Sequence, residues 1–377
     1  MESVKEKGED RIQLEKVLHM NAGDGNNSYA NNSLLQKKVM LKAKPILQES
    51  ITKLCTKNSP DCIKMADMGC SSGPNTFVPI WEIIDAIDDT CNRLKRKPPV
   101  LQVFLNDLPT NDFNLISMSL PSFYKKLEEE KGGEFGACFI AAVPGNFYGR
   151  LFPPKSLHFV HSSYSLHWFS QVPKIPLNKG HIYLAKTSPA NVHKAYLGQF
   201  ERDLETFLRC RSEEMVHEGR MVLTFYGRDD MNMYKSNTYK PNIWELFGTL
   251  LNDMVLEGLI EETKLDTFNI PFYGASAQEV KNVIESEGSF TINRFESFQI
   301  GWDAGIDDRY KNSIDKYTKG AYIADRIRAV SESILSNHFG DKLIDIMFQR
   351  FSVRIGEYME MENGAYTNHV VSMTCNK

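Results

Sequence analysis

The sequence predicts an α/β fold built on a mostly parallel β-sheet. Short apolar segments alternate with stretches whose apolar residues recur at helical spacing, and this alternation is typical of a parallel sheet. The predicted strands are residues 62–68, 100–105, 137–143, 156–160 and 221–226. A glycine-rich loop follows the first strand and an acidic residue ends the second. In an open parallel sheet these features indicate a ligand site beyond the carboxyl ends of the strands.

Composition limits the classes of protein that fit. The chain has 377 residues, 42% of them apolar, and can therefore bury a large core. A net charge of −4 gives no basic surface for nucleic acid. The N-terminus is too polar for a signal peptide, and no apolar run approaches the roughly 18–20 residues of a membrane helix. The seven cysteines form no C-x-x-C pair, so we expect reduced thiols and a cytoplasmic protein.

The pattern changes after Arg228, where a helical layer is expected. Apolar residues at helical spacing run from Trp244 to Met254, and a second helical stretch covers residues 323–351. Residues 289–299 and 367–374 are predicted to be late strands. We therefore expect helical insertions in one α/β core rather than a separate linked domain. The predicted division is a core at 1–228, a helical cap at 229–288 and 303–350, and strands returning to the core at 289–302 and 351–377.

The loop in "KMADMGCSSGPN", residues 64–75, has two interpretations. Gly69–Gly73 fits the G-x-S-x-G pattern of a hydrolase, in which Ser71 would be the nucleophile and His338 or His369 would follow it in the chain. The same strand-loop-helix context also suits a cofactor site. A purely structural turn is the third alternative.

Two carboxylates favour the cofactor interpretation. Asp67 lies at the end of the strand before the loop, and Asp107 ends the next strand. An ionised Asp107 can accept hydrogen bonds from both hydroxyls of a ribose. The dinucleotide fingerprint fits poorly, because no third glycine follows Gly73 and Asp107 lies well beyond the roughly 20 residues of that motif. An adenosine cofactor without a pyrophosphate remains, and S-adenosylmethionine is the common one, so a methyltransferase is favoured over a hydrolase.

The chain resembles the plant SABATH methyltransferases over nearly its whole length. The motifs that carry the resemblance are "LEKVLHMNAGDGNNSYANNS", "ADMGCSSGPN", "FLNDLPTNDFN", "VPGNFYGRLFP", "HSSYSLHWFSQVP", "NKGHIYLAKTSP", "GLIEETKLDTFNIPFY", "EGSFTINRFES" and "HFGDKLID". The family contains salicylate, benzoate and jasmonate carboxyl methyltransferases and caffeine synthases. The resemblance implies a class I S-adenosylmethionine-dependent methyltransferase fold, Rossmann-like with a mostly parallel seven-stranded sheet, an α-helical cap and a homodimer.

The resemblance also implies which residues hold the cofactor. These are Tyr29, Asp67, Cys70, Asn75, Asp107, Leu108 and Phe147, together with Asn146 at a position where the family usually has Ser. Asn, like Ser, can donate and accept a hydrogen bond, so a cofactor contact at this position can persist.

The methyl acceptor would be held by a second set of residues that the resemblance implies. Gln36, His167 and Trp168 would position the acceptor, and the rest of its pocket would comprise Tyr164, Tyr226, Ile243, Trp244, Ile327 and Tyr366. Some members of the family carry a cation near this pocket, and the matching positions are Asn178, Asp266, Phe268 and Asn269. One carboxylate with amide and carbonyl oxygens would suit a hard ion such as Mg²⁺.

Two reactions remain open for the acceptor. A carboxylic acid is ionised at neutral pH, so its methylation needs alignment and desolvation rather than a base. Methylation of a xanthine ring nitrogen requires a proton to leave, and His167 or a water would help remove it. Tyr226 stands where many carboxyl methyltransferases have Leu and some purine N-methyltransferases have Arg. We expect O-methylation of a small aromatic or related acid, with xanthine N-methylation as the alternative and a cofactor-binding protein without catalysis as a third possibility.

Overall fold

A computed structural model describes residues 14–57, 60–132, 137–174, 178–229, 240–306 and 313–377. The strands within these ranges are β1 (Cys62–Met68), β2 (Val100–Asp107), β3 (Cys138–Pro144), β4 (Leu157–Ser163), β5 (Met215–Arg228), β6 (Ala275–Ser276), β7 (Phe290–Gly301) and β8 (Ala365–Cys375). The helices are α1 (Leu34–Lys57), α2 (Val78–Leu94), α3 (Phe113–Lys131), α4 (Ala190–Glu214), α5 (Ile243–Leu256), α6 (Glu262–Thr267), α7 (Ala277–Glu287), α8 (Lys316–Phe339) and α9 (Ile344–Met361).

The strands form one mixed sheet in the order β3-β2-β1-β4-β5-β8-β7, and the short β6 pairs with β5. Strands β1 to β5 run parallel to one another, whereas β8 is antiparallel to both β5 and β7. The predicted α/β fold with a mostly parallel sheet is therefore confirmed. The two-residue β6, which lies off the main strand order, brings the sheet to eight strands instead of the predicted seven.

Helix α9 runs across the boundary that the sequence predicts between residues 350 and 351. Helix α9 continues to Met361, and the final strand begins at Ala365. The apolar stripe of this helix explains the difference, because Phe348, Phe351 and Ile355 are all buried at helical spacing across the predicted boundary.

Two buried apolar clusters surround the sheet. One packs α1, α2 and α3 against β1 and β2, and the other joins α4, α5, α8 and α9 to β5 and β8. The pocket described below lies at the carboxyl ends of the parallel strands. Among the described helices, none is both long and apolar enough to cross a membrane.

Candidate active site

A pocket of about 1240 Å³, partly open to solvent, lies at the carboxyl ends of β1, β2, β4 and β5. These strand ends contribute four residues to the wall of the pocket: Gly69, Asp107, Ser163 and Tyr226. Helices α1, α5 and α8 close the opposite side, together with residues 14–20 of the N-terminal segment. The pocket therefore occupies the place where an open parallel sheet binds its ligand.

The glycine loop after β1 turns sharply against the end of β2. The amides of Gly69 and Cys70 both donate to the Asn106 carbonyl, at 2.8 and 2.9 Å. Gly69 has a φ of 78°, and a Cβ there would lie 2.2 Å from the Ser165 hydroxyl oxygen. Only glycine fits this position without strain, because it needs a left-handed backbone and has no room for a side chain.

Asp107 is the last residue of β2 and lines the pocket. Its Oδ2 accepts from the Ser71 amide at 2.7 Å, and its Oδ1 accepts from the Leu108 amide at 2.8 Å. Burial raises the pKa of this carboxyl to about 6, although the two amides lower it. Each carboxylate oxygen keeps a further lone pair that can accept a hydroxyl hydrogen.

Three of the predicted cofactor residues lie behind the pocket wall. Asp67 is paired with the His161 ring, whose Nδ1 lies 2.7 Å from Oδ1. The Cys70 thiol donates to the Ser71 carbonyl, and the Asn75 amide donates to the Ser33 carbonyl at 2.7 Å. They therefore shape the loop and its junction with α1. The residues of the predicted cofactor set that line the pocket are Tyr29, Asp107, Leu108, Asn146 and Phe147.

Asn146 connects the sheet to the N-terminal segment. Its Nδ2 donates to Glu15 Oε1 at 2.5 Å, and its Oδ1 accepts from the Tyr148 amide at 2.8 Å. Glu15 itself lines the pocket. The side chain of Asn146 thus joins residues of the pocket wall that are distant in the sequence.

All the residues that the resemblance implied for the acceptor line this same pocket: Gln36, Tyr164, His167, Trp168, Tyr226, Ile243, Trp244, Ile327 and Tyr366. The cap of α5 explains two of them. Asn242 Oδ1 accepts from the amides of Trp244 and Glu245, which fixes the start of the helix and places Ile243 and Trp244 in the wall.

His167 is held as a neutral imidazole. Its Nδ1 accepts from the Tyr226 amide at 3.3 Å, and burial among aromatic rings lowers its pKa to about 3. The rings of Tyr164 and Phe272 lie 5.2 and 4.8 Å from it. A group of such low pKa is a weak base at neutral pH.

Several polar groups in the pocket have no protein partner. Within the described ranges, the buried carboxamide oxygen of Gln36 has no hydrogen-bond partner. The indole N–H of Trp168, a residue that is 8% exposed and lines the pocket, donates to no described residue. The buried hydroxyl oxygens of Ser71 and Ser163 are also unpartnered. Buried polar groups normally have partners, so these indicate contacts with a bound molecule. Together with the Asp107 carboxylate, the two serine hydroxyls suit the ribose and the polar groups of an adenosine cofactor.

Arg326 is a pocket residue that the sequence analysis missed. It is 5% exposed and lies on the buried stripe of α8 with Ile323 and Ile327. The signal in the sequence was a charged residue at a position where the helical spacing calls for an apolar one.

The hydrolase alternative finds no support in the geometry. His338 bonds the Lys264 carbonyl, and His369 bonds the Ser297 hydroxyl. Among the described residues neither histidine contacts Ser71, whose side chain has no hydrogen-bond partner. The base that a serine nucleophile requires is therefore missing at this loop.

Most of the residues predicted to hold a cation already form hydrogen bonds or packing contacts within the protein. Asp266 Oδ1 accepts from the Gly180 amide at 2.8 Å. Asn178 donates to the Tyr183 carbonyl and accepts from the Ser188 hydroxyl. The ring of Phe268 packs on His338 and Phe339, and Asn269 Oδ1 alone has no partner. The described chain contains no cluster of three or more His, Cys, Asp or Glu side chains that could hold a metal ion, and Mg²⁺ at these four positions stays a prediction without support.

Known proteins share this chain's sequence and fold. Residues 15–376 match the model of a family described as SAM-dependent carboxyl methyltransferases. A probable jasmonic acid carboxyl methyltransferase of Theobroma cacao is 45% identical over 96% of this chain and 99% of its own. A probable caffeine synthase of Coffea arabica is 44% identical over 96% of this chain and 98% of its own.

One solved structure has the same fold throughout. A loganic acid methyltransferase with SAH superposes with a TM-score of 0.80 at 33% identity, covering 95% of this chain and 99% of its own. SAH is the demethylated product of S-adenosylmethionine, so a protein of this fold is known with that product bound.

Proposed function

The chain belongs to the family of S-adenosylmethionine-dependent carboxyl methyltransferases, the plant SABATH family, and on this premise we propose that it methylates the carboxylate of a small organic acid. It is an S-adenosylmethionine-dependent enzyme. The class of acceptor is the part that we propose: an aromatic or related acid, which leaves as its methyl ester.

The observation that supports a carboxylate acceptor is the pair of unpartnered groups at Gln36 and Trp168. A carboxylate offers two acceptor oxygens, and the carboxamide NH₂ and the indole N–H would each donate to one of them. The Gln36 amide can present either its oxygen or its nitrogen to the pocket by rotation about its last bond. Both groups are buried, so their hydrogen bonds to a bound anion would be protected from water.

The mechanism requires alignment rather than acid-base catalysis. When bound, S-adenosylmethionine supplies a methyl group on a sulfonium, which is an activated leaving group. Asp107, with Ser71 and Leu108 fixing both of its oxygens, would hold the ribose end of the cofactor. Gln36 and Trp168 would orient the acceptor oxygen, and the rings of Trp244 and Phe272 would exclude water from it.

Xanthine N-methylation is the second candidate. It is favoured by the similarity to a probable caffeine synthase and by the presence of Tyr226 and Tyr366 in the pocket wall, where their hydroxyls could meet a polar heterocycle. Removal of a ring proton would need a base, and the pKa of His167, lowered to about 3, makes that residue a weak one. A carboxylic acid is therefore better supported than a xanthine as the methyl acceptor.

The test is methyl transfer by the purified protein from labelled S-adenosylmethionine. Salicylate, benzoate, nicotinate, cinnamate and jasmonate would be compared with xanthosine, 7-methylxanthine and theobromine, and the products separated by chromatography. We expect methyl esters. If methylated xanthines were the main products, xanthine N-methylation would replace carboxyl methylation as the proposed function. If the protein bound the cofactor but formed no product, both proposed functions would be refuted.

The oligomeric state, the location and the helical cap belong to the same proposal. We propose a homodimer, which sedimentation would test, and a cytoplasmic location. The helices of residues 229–288 and 303–350 would act as a cap over the acceptor, since Ile243, Trp244 and Ile327 from these segments line the pocket. Mg²⁺ enters no step of the proposed mechanism.

A further inference from the structure

Arg326 places a positive charge in the wall of the acceptor pocket. Its side chain extends from α8, and its Nη1 donates to the Trp302 carbonyl at 2.9 Å while its Nη2 donates to the Ala304 carbonyl. These two bonds anchor the guanidinium but do not neutralise it, because carbonyls carry no net charge.

No acid pairs with this guanidinium in the part of the chain that the structure describes. The ion pairs of the described residues do not include Arg326; burial lowers the pKa of its guanidinium, and the charge of Asp303 is among the effects that raise it. The Nε–H is buried and has no hydrogen-bond partner. The Tyr322 ring lies 4.3 Å from the guanidinium carbon, but the Nε–H of this residue, which is 5% exposed, still lacks an acceptor. Leaving it unsatisfied is costly unless a molecule that enters the pocket supplies one.

A chain of aromatic contacts connects Trp168 with the residues that anchor Arg326. Aromatic contacts lead from Trp168 to Phe272, then to Tyr226 and to Tyr366, with ring centroids 5.2, 4.9 and 5.7 Å apart. The ring of Trp302, whose carbonyl anchors Arg326, lies 5.9 Å from Tyr366. The wall of the pocket thus has a pair of donors at Gln36 and Trp168 and a charged donor at Arg326.

We propose that Arg326 determines acceptor specificity by binding a second oxygen-bearing group of the acid, a carbonyl or a carboxylate, apart from the carboxylate that is methylated. The inference rests on the proposed function, which it narrows to acids with two separated oxygen groups. A planar guanidinium can donate two parallel hydrogen bonds to a carboxylate or one to a carbonyl. An acid with only an apolar tail would leave the Nε–H unsatisfied and would bind less well.

The experiment compares acids of one shape and different polarity. The ortho, meta and para isomers of acetylbenzoate and isopropylbenzoate are matched pairs in which a carbonyl oxygen replaces a methyl group, and the three phthalate isomers supply a second carboxylate. Binding would be measured by calorimetry in the presence of SAH, so that the result does not depend on turnover. For at least one isomer we expect the wild-type protein to bind the acetyl or carboxyl compound at least roughly tenfold more tightly than the isopropyl one, as for a hydrogen bond to a charged group.

The variants separate recognition from folding. Arg326→Met should abolish this preference while leaving the affinity for SAH unchanged, and Arg326→Lys should retain part of it. Arg328→Met is the matched control, because Arg328 lies on the same helix but pairs with Glu332 and Asp345 outside the pocket. The proposal would be overturned if Arg326→Met still bound the acetyl or carboxyl compound more tightly than the isopropyl one. It would also be overturned if the wild-type protein showed this preference for none of the pairs. Equal weakening of all acids by Arg326→Met would do the same, since it would place Arg326 on the reacting carboxylate.

These results are independent of whether the proposed reaction occurs. A wild-type protein that makes no methyl ester but distinguishes acetyl from isopropyl through Arg326 would refute the carboxyl methylation and keep the specificity role. If the protein formed methyl esters but did not distinguish acetyl from isopropyl compounds, the specificity role of Arg326 would be refuted and carboxyl methylation would stand.

Discussion

The amide nitrogen of Ser71 lies 2.7 Å from Oδ2 of Asp107, which joins the loop after β1 to the carboxylate that ends β2. Because these strands are parallel neighbours, with Asp67 opposite Leu105 in the register, the loop and the carboxylate meet at one edge of the sheet. A serine in a loop that resembles a nucleophile elbow therefore uses its backbone to position an acid.

The affinity for S-adenosylmethionine should fall as the pH drops below about 6. Burial raises the pKa of Asp107 to about 6, so this carboxyl is ionised above that pH and neutral below it. Only the ionised form can accept hydrogen bonds at both oxygens from the ribose. Well below the pKa, the dissociation constant should rise about tenfold per pH unit. Calorimetric titrations between pH 5 and pH 8 would measure it.

Asp107→Asn is the control for this pH dependence. The variant should bind the cofactor weakly and with little change over the same pH range, because the titrating group is gone. A constant affinity in the wild-type protein from pH 5 to pH 8 would contradict the assignment of Asp107 to the ribose.

Ser71→Ala should keep methyl transfer activity within roughly tenfold of wild type. The change removes a hydroxyl that has no protein partner, and it leaves the backbone amide that holds Asp107. Methyl transfer and hydrolysis of an activated ester would be measured in parallel. An ester hydrolysis activity that disappears in the variant would restore the nucleophile interpretation.

The sequence was sufficient for the elements that depend on local pattern. The strands around the loop and the carboxylate at the end of β2 could be predicted, because alternation of apolar segments and a glycine turn are local signals. Asp67 shows the limit. Its position at the strand end suggested a cofactor contact, but only the pairing with β4 reveals that its side chain meets His161.

Contacts between distant segments could not be predicted from the pattern. The bond between Glu15 and Asn146 joins residues far apart in the chain, and nothing local to either residue encodes it. Arg326 left a weak signal as a charge on an apolar stripe. A sequence does not say whether such a residue faces a cavity or a buried acid, because that depends on how α8 packs.

Arg211→Met should destabilise the protein by about 3–5 kcal/mol, as expected when one partner of a buried ion pair is removed. Arg211 and Glu214 are fully buried and 2.8 Å apart. Arg211 also donates to the carbonyls of Phe147 and Gly149, so the cofactor affinity should fall with the stability. Urea unfolding and calorimetry would measure the two effects.

Arg350→Met serves as the matched control for this prediction. Arg350 pairs with Glu257 on the surface, where an ion pair contributes about 0–1 kcal/mol. If both variants lost the same free energy of unfolding, the pair at Arg211 would not be the anchor of the loop at Phe147.

Gln36→Leu and Trp168→Phe should each raise the KM for the acid about tenfold or more, with a smaller effect on the affinity for S-adenosylmethionine. Each change removes a donor to the same carboxylate, and a hydrogen bond to a charged group contributes about 1.5–3 kcal/mol. Steady-state kinetics with the best acid from the panel would provide KM and kcat for both variants and for the double variant.

The double variant decides whether the two donors act on one group. If Gln36 and Trp168 hold the same carboxylate, the first substitution already misplaces it, so the second should cost less than it does alone. Additive losses would mean that the donors bind separate parts of the acceptor. An unchanged KM in both single variants would place the reacting carboxylate elsewhere, and Arg326 would then be the remaining positive group in the described wall of the pocket able to hold it.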